Sequence, residues 1–182
     1  MSQTFNADHL DVPRFTREGA ELVGNDALSK YERLIIEALD PKASDTLNTP
    51  VSWQAQGEMT EDASGHQVHW LNLQAHTHLP MTCQRCLTPV QAALSVDQRY
   101  RFVASEDQAM EEDDEAEEDL LVLSREFNLR ELVEDELLMA LPLVPRHEVC
   151  PGDVRMSAQD EDFEQGDKQA NPFAVLSSLK KK

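Results

Sequence analysis

The sequence predicts an α+β fold in which a small antiparallel, barrel-like sheet packs with an N-terminal helix and one long C-terminal helix. Two observations predict this fold. Apolar residues recur at steps of three and four over 28–39 and 129–141, and at steps of two in between. A length of 182 residues fits one domain with appendages, because two cores would each need about 100 residues. We therefore expect a single α+β domain over residues 1–150.

The N-terminal helix is predicted within Leu10 to Pro41, after a short apolar run around Val12. Its apolar residues follow helical spacing, so they would share one face. Asp26 or Ser29 can cap the start of this helix, and Pro41 should end it. The predicted buried face consists of Leu28, Tyr31, Leu34, Ile35, Ala38 and Leu39.

Antiparallel strands are predicted between Val51 and Phe102, where the apolar period changes to two. Val51 to Glu58 is the first candidate strand, and Ser64-Gly65 supplies turn chemistry before the next. Two further segments each place alternate apolar residues on one strand face. These faces consist of Leu71, Leu73, Ala75, Thr77 and Leu79, and of Val90, Ala92, Leu94 and Val96.

An acidic segment follows the strands, with ten carboxylates and no basic residue over residues 105–119. Such a stretch buries little apolar surface and repels itself when compacted, so we interpret it as a disordered loop. The short apolar run Leu120 to Leu123 can then return to the sheet.

The long C-terminal helix has the clearest start signal in the chain. Asn128 is a good N-cap, and Glu131 stands three residues later, as in a capping box. Pro142 should end the helix. Its predicted buried stripe consists of Leu129, Leu132, Val133, Leu137, Ala140 and Leu141.

Two appendages are predicted after the domain. Residues 151–170 are polar and acidic, which favours a flexible linker, and residues 171–182 form a short amphipathic, Lys-tipped docking segment. Its apolar residues can pack on the chain's own sheet or enter a groove of a partner, and both alternatives remain open. They are Phe173, Val175, Leu176 and Leu179.

The charge balance limits the partners. With 35 Asp and Glu against 16 Lys and Arg, the net charge is −19, which repels DNA and anionic membranes and attracts basic proteins. There is neither a basic stretch joined to an apolar run at the N-terminus nor a run of about 18 apolar residues. The cytoplasm is therefore the expected location, and a basic protein the expected kind of ligand.

The cysteines suggest a metal site. Cys83 and Cys86, with two residues between them, can face one metal ion from a tight turn, and His147 and Cys150 can form the second half of a Cys₃His zinc site. Two alternatives are a redox pair and a pair of small, partly buried residues. The imidazoles in and beside the strands can also bind metal, although solvent-side positions are the commoner arrangement. They are His66, His69, His76 and His78.

Catalysis finds little support in the sequence. GxSxG, P-loop, HExxH and GxGxxG motifs are all missing, and six glycines leave few places for a phosphate cradle. A nucleophilic Cys83 or Cys86 with His147 as its base is the remaining enzymatic alternative. We expect a protein that is not an enzyme.

Three motifs together resemble the bacterial YceD family, also called DUF177: the turn CQRCL at 83–87, the helix leading into LPLVP at 141–145, and the ending NPFAVLSSLKKK at 171–182. The resemblance implies a non-catalytic ribosome biogenesis factor that supports accumulation of 23S rRNA and large-subunit assembly. Many relatives carry a second cysteine pair after LPLVP. This chain departs there, with His147 nearest the first of those cysteines and Cys150 remaining.

Two modes of action are compatible with this resemblance. The acidic chain can bind a basic ribosomal protein or the pre-ribosomal particle, or it can be a direct RNA-binding module with a CxxC zinc knuckle. RNA contact would fall on the basic residues Arg85, Arg99, Arg101, Lys180, Lys181 and Lys182. Four aromatic residues can stack on bases or, more commonly, fill the core. They are Trp53, Trp70, Tyr100 and Phe102.

Overall fold

The computed structural model describes residues 5–62 and 64–152. Contacts between residues divide the chain into two units, Met1–Cys150 and Pro151–Lys182. The predicted linker lies outside the described residues from position 153 onward, and so does the whole predicted docking segment, including Phe173, Val175, Leu176, Leu179 and the three terminal lysines.

One five-stranded sheet forms the centre of the first unit, in the order β1-β2-β3-β4-β5. Neighbouring strands are antiparallel from β1 to β4, as predicted, whereas β5 runs parallel to β4. The prediction of a purely antiparallel sheet is therefore wrong for β5. Two parallel neighbouring strands need a crossover connection between them, and the acidic segment supplies it between β4 and β5. The strands are β1 (Glu21–Ala27), β2 (Pro50–Glu61), β3 (Gln67–Thr82), β4 (Pro89–Val103) and β5 (Asp119–Val122).

The sheet is open, so the expectation of a barrel is wrong. Two helices cover its inner face: α1 (Val12–Arg17) contacts β2 and β3, and α5 (Leu129–Met139) contacts β3 and β4. The first and last strands, β1 and β5, do not pair with each other, so the sheet does not close on itself. The core lies between the two helices and the predicted strand faces: Leu71, Leu73, Ala75, Thr77, Leu79, Leu94 and Val96 are all buried.

The N-terminal region differs from its prediction. Residues 28–39 form a 3₁₀ turn, Leu28–Lys30, and a five-residue helix α2, Glu32–Ile36, because Tyr31 between them leaves the helical conformation. Neither predicted cap residue binds the start of α2. The run around Val12 is instead the helix α1, with Asp11 as its N-cap and a proline in its first turn. A further short helix, α3, spans Ser44–Leu47.

The C-terminal helix α5 is confirmed. The Asn128 side chain accepts a hydrogen bond from the Glu131 backbone N–H at 3.1 Å. Leu129, Val133 and Leu137 are fully buried on its inner face. Among the described residues, none of the helices is both long and apolar enough to cross a membrane.

The acidic segment contains a helix, α4 (Glu106–Glu112), so our interpretation of a disordered loop is wrong for these residues. The Ser105 side chain caps the start of this helix by accepting a hydrogen bond from the Gln108 N–H. Two acidic residues in the first turn interact favourably with the positive end of the helix dipole. Arg101 of β4 pairs with Glu112 at 2.7 Å and offsets part of the repulsion. Local capping and one ion pair therefore outweigh the like charges.

Candidate functional site

Two short segments form the end of the molecule that carries the cysteines. The turn 83–88 joins β3 to β4, and its ends are closed by hydrogen bonds from Cys83 N–H to the Thr88 carbonyl and from Leu87 N–H to the Cys83 carbonyl, both 2.9 Å. The segment after α5 is tied to this turn by Gln84 N–H donating to the Pro145 carbonyl at 2.9 Å. Backbone bonds thus hold the two halves of the site together.

The structure brings all four predicted metal ligands into one cluster. The Sγ atoms of Cys83, Cys86 and Cys150 and a ring nitrogen of His147 all lie within 4.8 Å of one another. Sulfur ligands on a tetrahedral zinc ion, at about 2.3 Å from the metal, are about 3.8 Å apart. The spacing is therefore close to that of a closed, four-coordinate site, and the cluster could hold a metal ion.

His147 is oriented for metal binding. Its Nε2 lies 3.0 Å from the Pro89 carbonyl oxygen, which can only accept, so Nε2 carries a hydrogen. In the neutral imidazole, Nδ1 then keeps its lone pair, and this atom faces Cys86 Sγ at 3.4 Å. Histidines that bind metal commonly donate their other N–H to a backbone carbonyl, as His147 does here.

Arg85 stands between the two cysteines and holds the second segment. Its guanidinium donates to Cys150 Sγ at 3.0 Å and to the carbonyl oxygens of His147 at 3.0 Å and Glu148 at 3.3 Å. These contacts engage most of the donors that RNA contact would need. RNA contact by Arg85 stays a prediction, and the contacts of its side chain tie the 83–88 turn to the segment that carries His147 and Cys150.

The cluster favours the ionised form of the Cys83 thiol. Burial opposes ionisation of the Cys83 thiol, but hydrogen bonds from the backbone N–H groups of Cys86, His147 and Arg85 outweigh it and lower its pKa to about 5. Hydrogen bonding to Cys83 and Cys86 raises the pKa of His147. A thiolate beside an imidazole is also the arrangement of a nucleophile with its base. The complete burial of Cys83 disfavours that use, because a substrate needs access to the sulfur.

The other histidines lie apart from this cluster. His76 and His78 are exposed on the outer face of β3, and His66 is exposed beside Asp62, as the solvent-side interpretation predicts. His69 is the exception, because it is buried and its Nδ1 lies 2.6 Å from the Thr16 hydroxyl.

The remaining predicted RNA contacts on the sheet are engaged with the chain itself. Arg99 stacks over the Trp70 ring at 4.2 Å and pairs with Glu58 at 3.1 Å, and Arg101 pairs with Glu112. The other three aromatic residues fill the core, as the commoner interpretation predicts. They are Trp53, Tyr100 and Phe102.

Sequence reasoning missed the apolar residues that surround the cysteines on the surface. Leu87, Leu143, Val144 and Val149 are all exposed. The sequence does contain a signal for this exposure. Three of these residues follow Pro142, which ends the helix, and their spacing matches neither the helical nor the strand period that would place them on a buried face. Apolar residues outside any period need not be core residues.

The family model described as large ribosomal RNA subunit accumulation protein YceD matches residues 71–180, which include the cysteine turn, the acidic segment and α5. The chain belongs to the YceD family. A relative from Haemophilus influenzae, named large ribosomal RNA subunit accumulation protein YceD, is 42% identical over 111 residues. The match covers 56% of this chain and 60% of that relative, so the chain spans about three fifths of the relative's length. No solved structure matches.

Proposed function

We propose that this YceD-family protein is a non-catalytic, cytoplasmic ribosome biogenesis factor that supports accumulation of 23S rRNA by binding a basic protein of the large subunit. The relative's name supplies the role in large-subunit RNA accumulation. The observation that carries the mode of action is the concentration of ten carboxylates over residues 105–119, in a chain of net charge −19. Such a field speeds encounter with a basic protein and repels RNA.

The charges of the described residues favour a protein ligand over direct contact with RNA. Affinity for a phosphate backbone requires cations that displace counterions. Arg99 and Arg101 each pair with a carboxylate, and Arg85 is held by the cysteine cluster. A basic protein needs no such cations, so we place RNA contact second.

Zinc bound by Cys83, Cys86, His147 and Cys150 would fix the geometry of the cysteine end. The donor set fits the metal, because three sulfurs and one imidazole nitrogen form a common structural zinc set. Bound zinc would act as a structural cross-link between the 83–88 turn and the segment after α5. Arg85 and the Pro89 carbonyl would then keep Cys150 and His147 in position.

The test of the proposed function is the salt dependence of binding to purified large-subunit ribosomal proteins, each presented individually. Attraction between net charges is screened, so affinity for the cognate protein should fall steeply as salt rises. A variant with four neutralised positions, D113N, D114N, E115Q and E117Q, should bind it more weakly at low salt and lose part of the salt dependence. All four side chains are exposed.

A matched control removes the same number of exposed carboxylates elsewhere, as E32Q, E37Q, E61Q and E126Q. This control changes the net charge equally but leaves the acidic segment intact, so it should weaken binding less. Binding that is insensitive to salt, or no binding to any of these proteins, would reject the proposal. Binding to precursor rRNA alone would favour the RNA-binding alternative.

A further inference from the structure

The three cysteines of the cluster differ in their access to solvent. Cys83 is completely buried, whereas Cys86 and Cys150 are both partly exposed. The three Sγ atoms lie within 4.8 Å of one another, so only a short movement separates any two of them from the S–S bond length of about 2 Å. An oxidant in solution reacts with accessible thiols, and an oxidised sulfur needs a second thiol beside it to form a disulfide. Cys86 and Cys150 are the pair in which both sulfurs are accessible and adjacent.

The backbone around the sulfurs also favours this pair. The turn that carries Cys83 and Cys86 is closed by two backbone hydrogen bonds and is continuous with β3 and β4. Cys150 lies in the segment after α5, where residues 141–150 form neither helix nor strand. A movement of Cys150 towards the turn therefore breaks few backbone hydrogen bonds. A bond between Cys83 and Cys86 would instead change the shape of the closed turn.

Side-chain contacts hold Cys150 against the turn. Arg85 Nε donates to Cys150 Sγ at 3.0 Å, and a terminal nitrogen of the same guanidinium donates to the His147 carbonyl oxygen at 3.0 Å. On the turn itself, Cys86 Sγ lies 3.1 Å from the Thr88 hydroxyl oxygen. Both sulfurs are thus held next to each other by side chains of the turn, and both remain partly open to solvent.

We infer that Cys86 and Cys150 form a redox modification site, at which a peroxide produces a reversible disulfide between the 83–88 turn and the segment after α5. This pair differs from the local pair of Cys83 and Cys86 that the sequence suggests, because it joins two segments that are distant along the chain. The inference does not depend on the proposed function, since it concerns only the chemistry of the cluster.

The reaction balances with hydrogen peroxide as the oxidant. The first thiol sulfur attacks one peroxide oxygen, so that an S–O bond forms, the O–O bond breaks, and water leaves with the thiol proton; the product is a sulfenic acid. The second thiol then attacks this sulfur, an S–S bond forms, the S–O bond breaks, and a second water leaves. The two sulfurs together lose two electrons, which reduce the peroxide. Where both sulfurs begin as zinc-bound thiolates, the two protons come from solvent.

The disulfide removes two of the four candidate zinc ligands. Cys83 and His147 remain, and two ligands are too few for the tetrahedral coordination of a structural zinc site. Oxidation should therefore release zinc, while the disulfide keeps the two segments cross-linked. A thiol reductant breaks the disulfide by exchange and restores all four ligands.

The experiment treats the full-length, zinc-loaded chain with excess hydrogen peroxide and measures free thiols, released zinc and disulfide-linked peptides. The number of free thiols should fall from three to one, and zinc should be released in an amount equal to that of the chain. Trypsin cleaves after Arg85 and after Arg146, so each cysteine lies on a different tryptic peptide. The peptide map should show Cys86 joined to Cys150, and a thiol reductant should separate the two peptides.

Single substitutions by serine distinguish the possible pairs. Cys83→Ser leaves Cys86 and Cys150 in place, so peroxide should still form one disulfide that a thiol reductant reverses. Cys86→Ser and Cys150→Ser each remove one member of the pair and should form no disulfide. Circular dichroism of the reduced variants shows whether the sheet is retained, and the peptide map of the wild type tests the pairing without any substitution.

Three outcomes would overturn the inference. A peptide map that joins Cys83 to either of the other cysteines, or a disulfide formed by C150S, would assign the modification to a different pair. Three intact thiols after peroxide treatment would show that the cluster does not react. Sulfinic acid at Cys86 or Cys150 without a disulfide would show that the two sulfurs do not meet. Each of these outcomes leaves the proposed function standing, because that function is tested separately by the salt dependence of binding.

Discussion

The two ends of strand β4 contrast in almost every physical respect. The cysteine end, residues 80–90 and 139–150, is nearly neutral, exposes apolar side chains and is held by backbone hydrogen bonds and a Cys₃His cluster. The acidic end has ten carboxylates, one short helix and an ion pair from Arg101. The contrast shows that a tightly fixed, nearly neutral part and a highly charged part occupy opposite ends of one strand.

Removing one ligand of the cysteine cluster should have the largest effect on the protein. This effect should remain confined to the cysteine end. Cys83→Ser removes a buried ligand, so zinc affinity should fall by more than about 100-fold. This loss exceeds the one expected when only a residue that hydrogen-bonds to a ligand is changed. The backbone N–H of Gln84, which donates to Pro145, should then exchange with solvent faster. Zinc content by mass spectrometry and hydrogen exchange measure both effects.

The control for this variant is Gln84→Ala, which changes a side chain between the two cysteines without removing a ligand. It should retain zinc and protection from exchange. Protection of α4 should be unchanged in both variants, because the acidic end lies at the far end of β4. Equal zinc binding by C83S and wild type would contradict the four-ligand site.

Asp26 lies outside both the cysteine end and the acidic segment. A substitution at Asp26 therefore shows what general destabilisation of the fold does by itself. Asp26 accepts hydrogen bonds from Lys30 at 2.7 Å, from Trp53 at 3.0 Å and from Arg130. Asp26→Asn should lower the free energy of unfolding by about 2 kcal/mol, the usual size for hydrogen bonds to a charged group. Denaturant unfolding measures this loss. Zinc content and partner affinity should stay unchanged at temperatures where the variant is folded.

The pH dependence of this variant follows from the same contacts. Burial opposes ionisation of Asp26, but its bonds to Lys30 and Trp53 and the nearby Arg130 outweigh burial and lower its pKa to about 2. The folded state therefore binds fewer protons than the unfolded state, whose aspartate titrates near pH 4. The Asp26 contribution is complete above about pH 4 and is lost as the pH falls towards 2. A gap between wild type and D26N that did not narrow over this range would contradict the assignment.

The smallest effect is expected at the acidic end. Arg101→Met removes the partially exposed ion pair with Glu112, which should cost less than about 1 kcal/mol of global stability. The amides of α4 should exchange faster, because the helix then lacks its link to β4. Faster exchange at the cysteine end in the same variant would show that the two ends are coupled, contrary to the account.

The parts of the fold that local signals determine were predictable from the sequence. The cap of α5 lies within four residues, and the alternation along β3 and β4 shows directly which side chains face the core. The direction of β5 depends on its crossover, which no local pattern specifies. The N-terminal helix was overestimated because Asp26, a candidate cap, is engaged by Arg130, which lies 104 residues away.

One part of the candidate site was likewise predictable from the sequence, and another part was not. Ligand chemistry identified all four members of the cluster, since few residue types can bind zinc and their spacing is short. The exposed apolar surface was not predicted, because the sequence does not show whether a residue such as Leu143 has a packing partner. The positive φ of Leu87 was equally hidden, since leucine is seldom found in that region.

The most direct test of the account is site-specific photo-crosslinking in growing cells. A photoreactive amino acid is placed at Asp114 in the acidic segment or at the control position Val23, both exposed. Position 114 should crosslink to a basic protein of the large subunit, and position 23 should not. Crosslinks from position 114 to RNA, or to no ribosomal protein, would contradict the account.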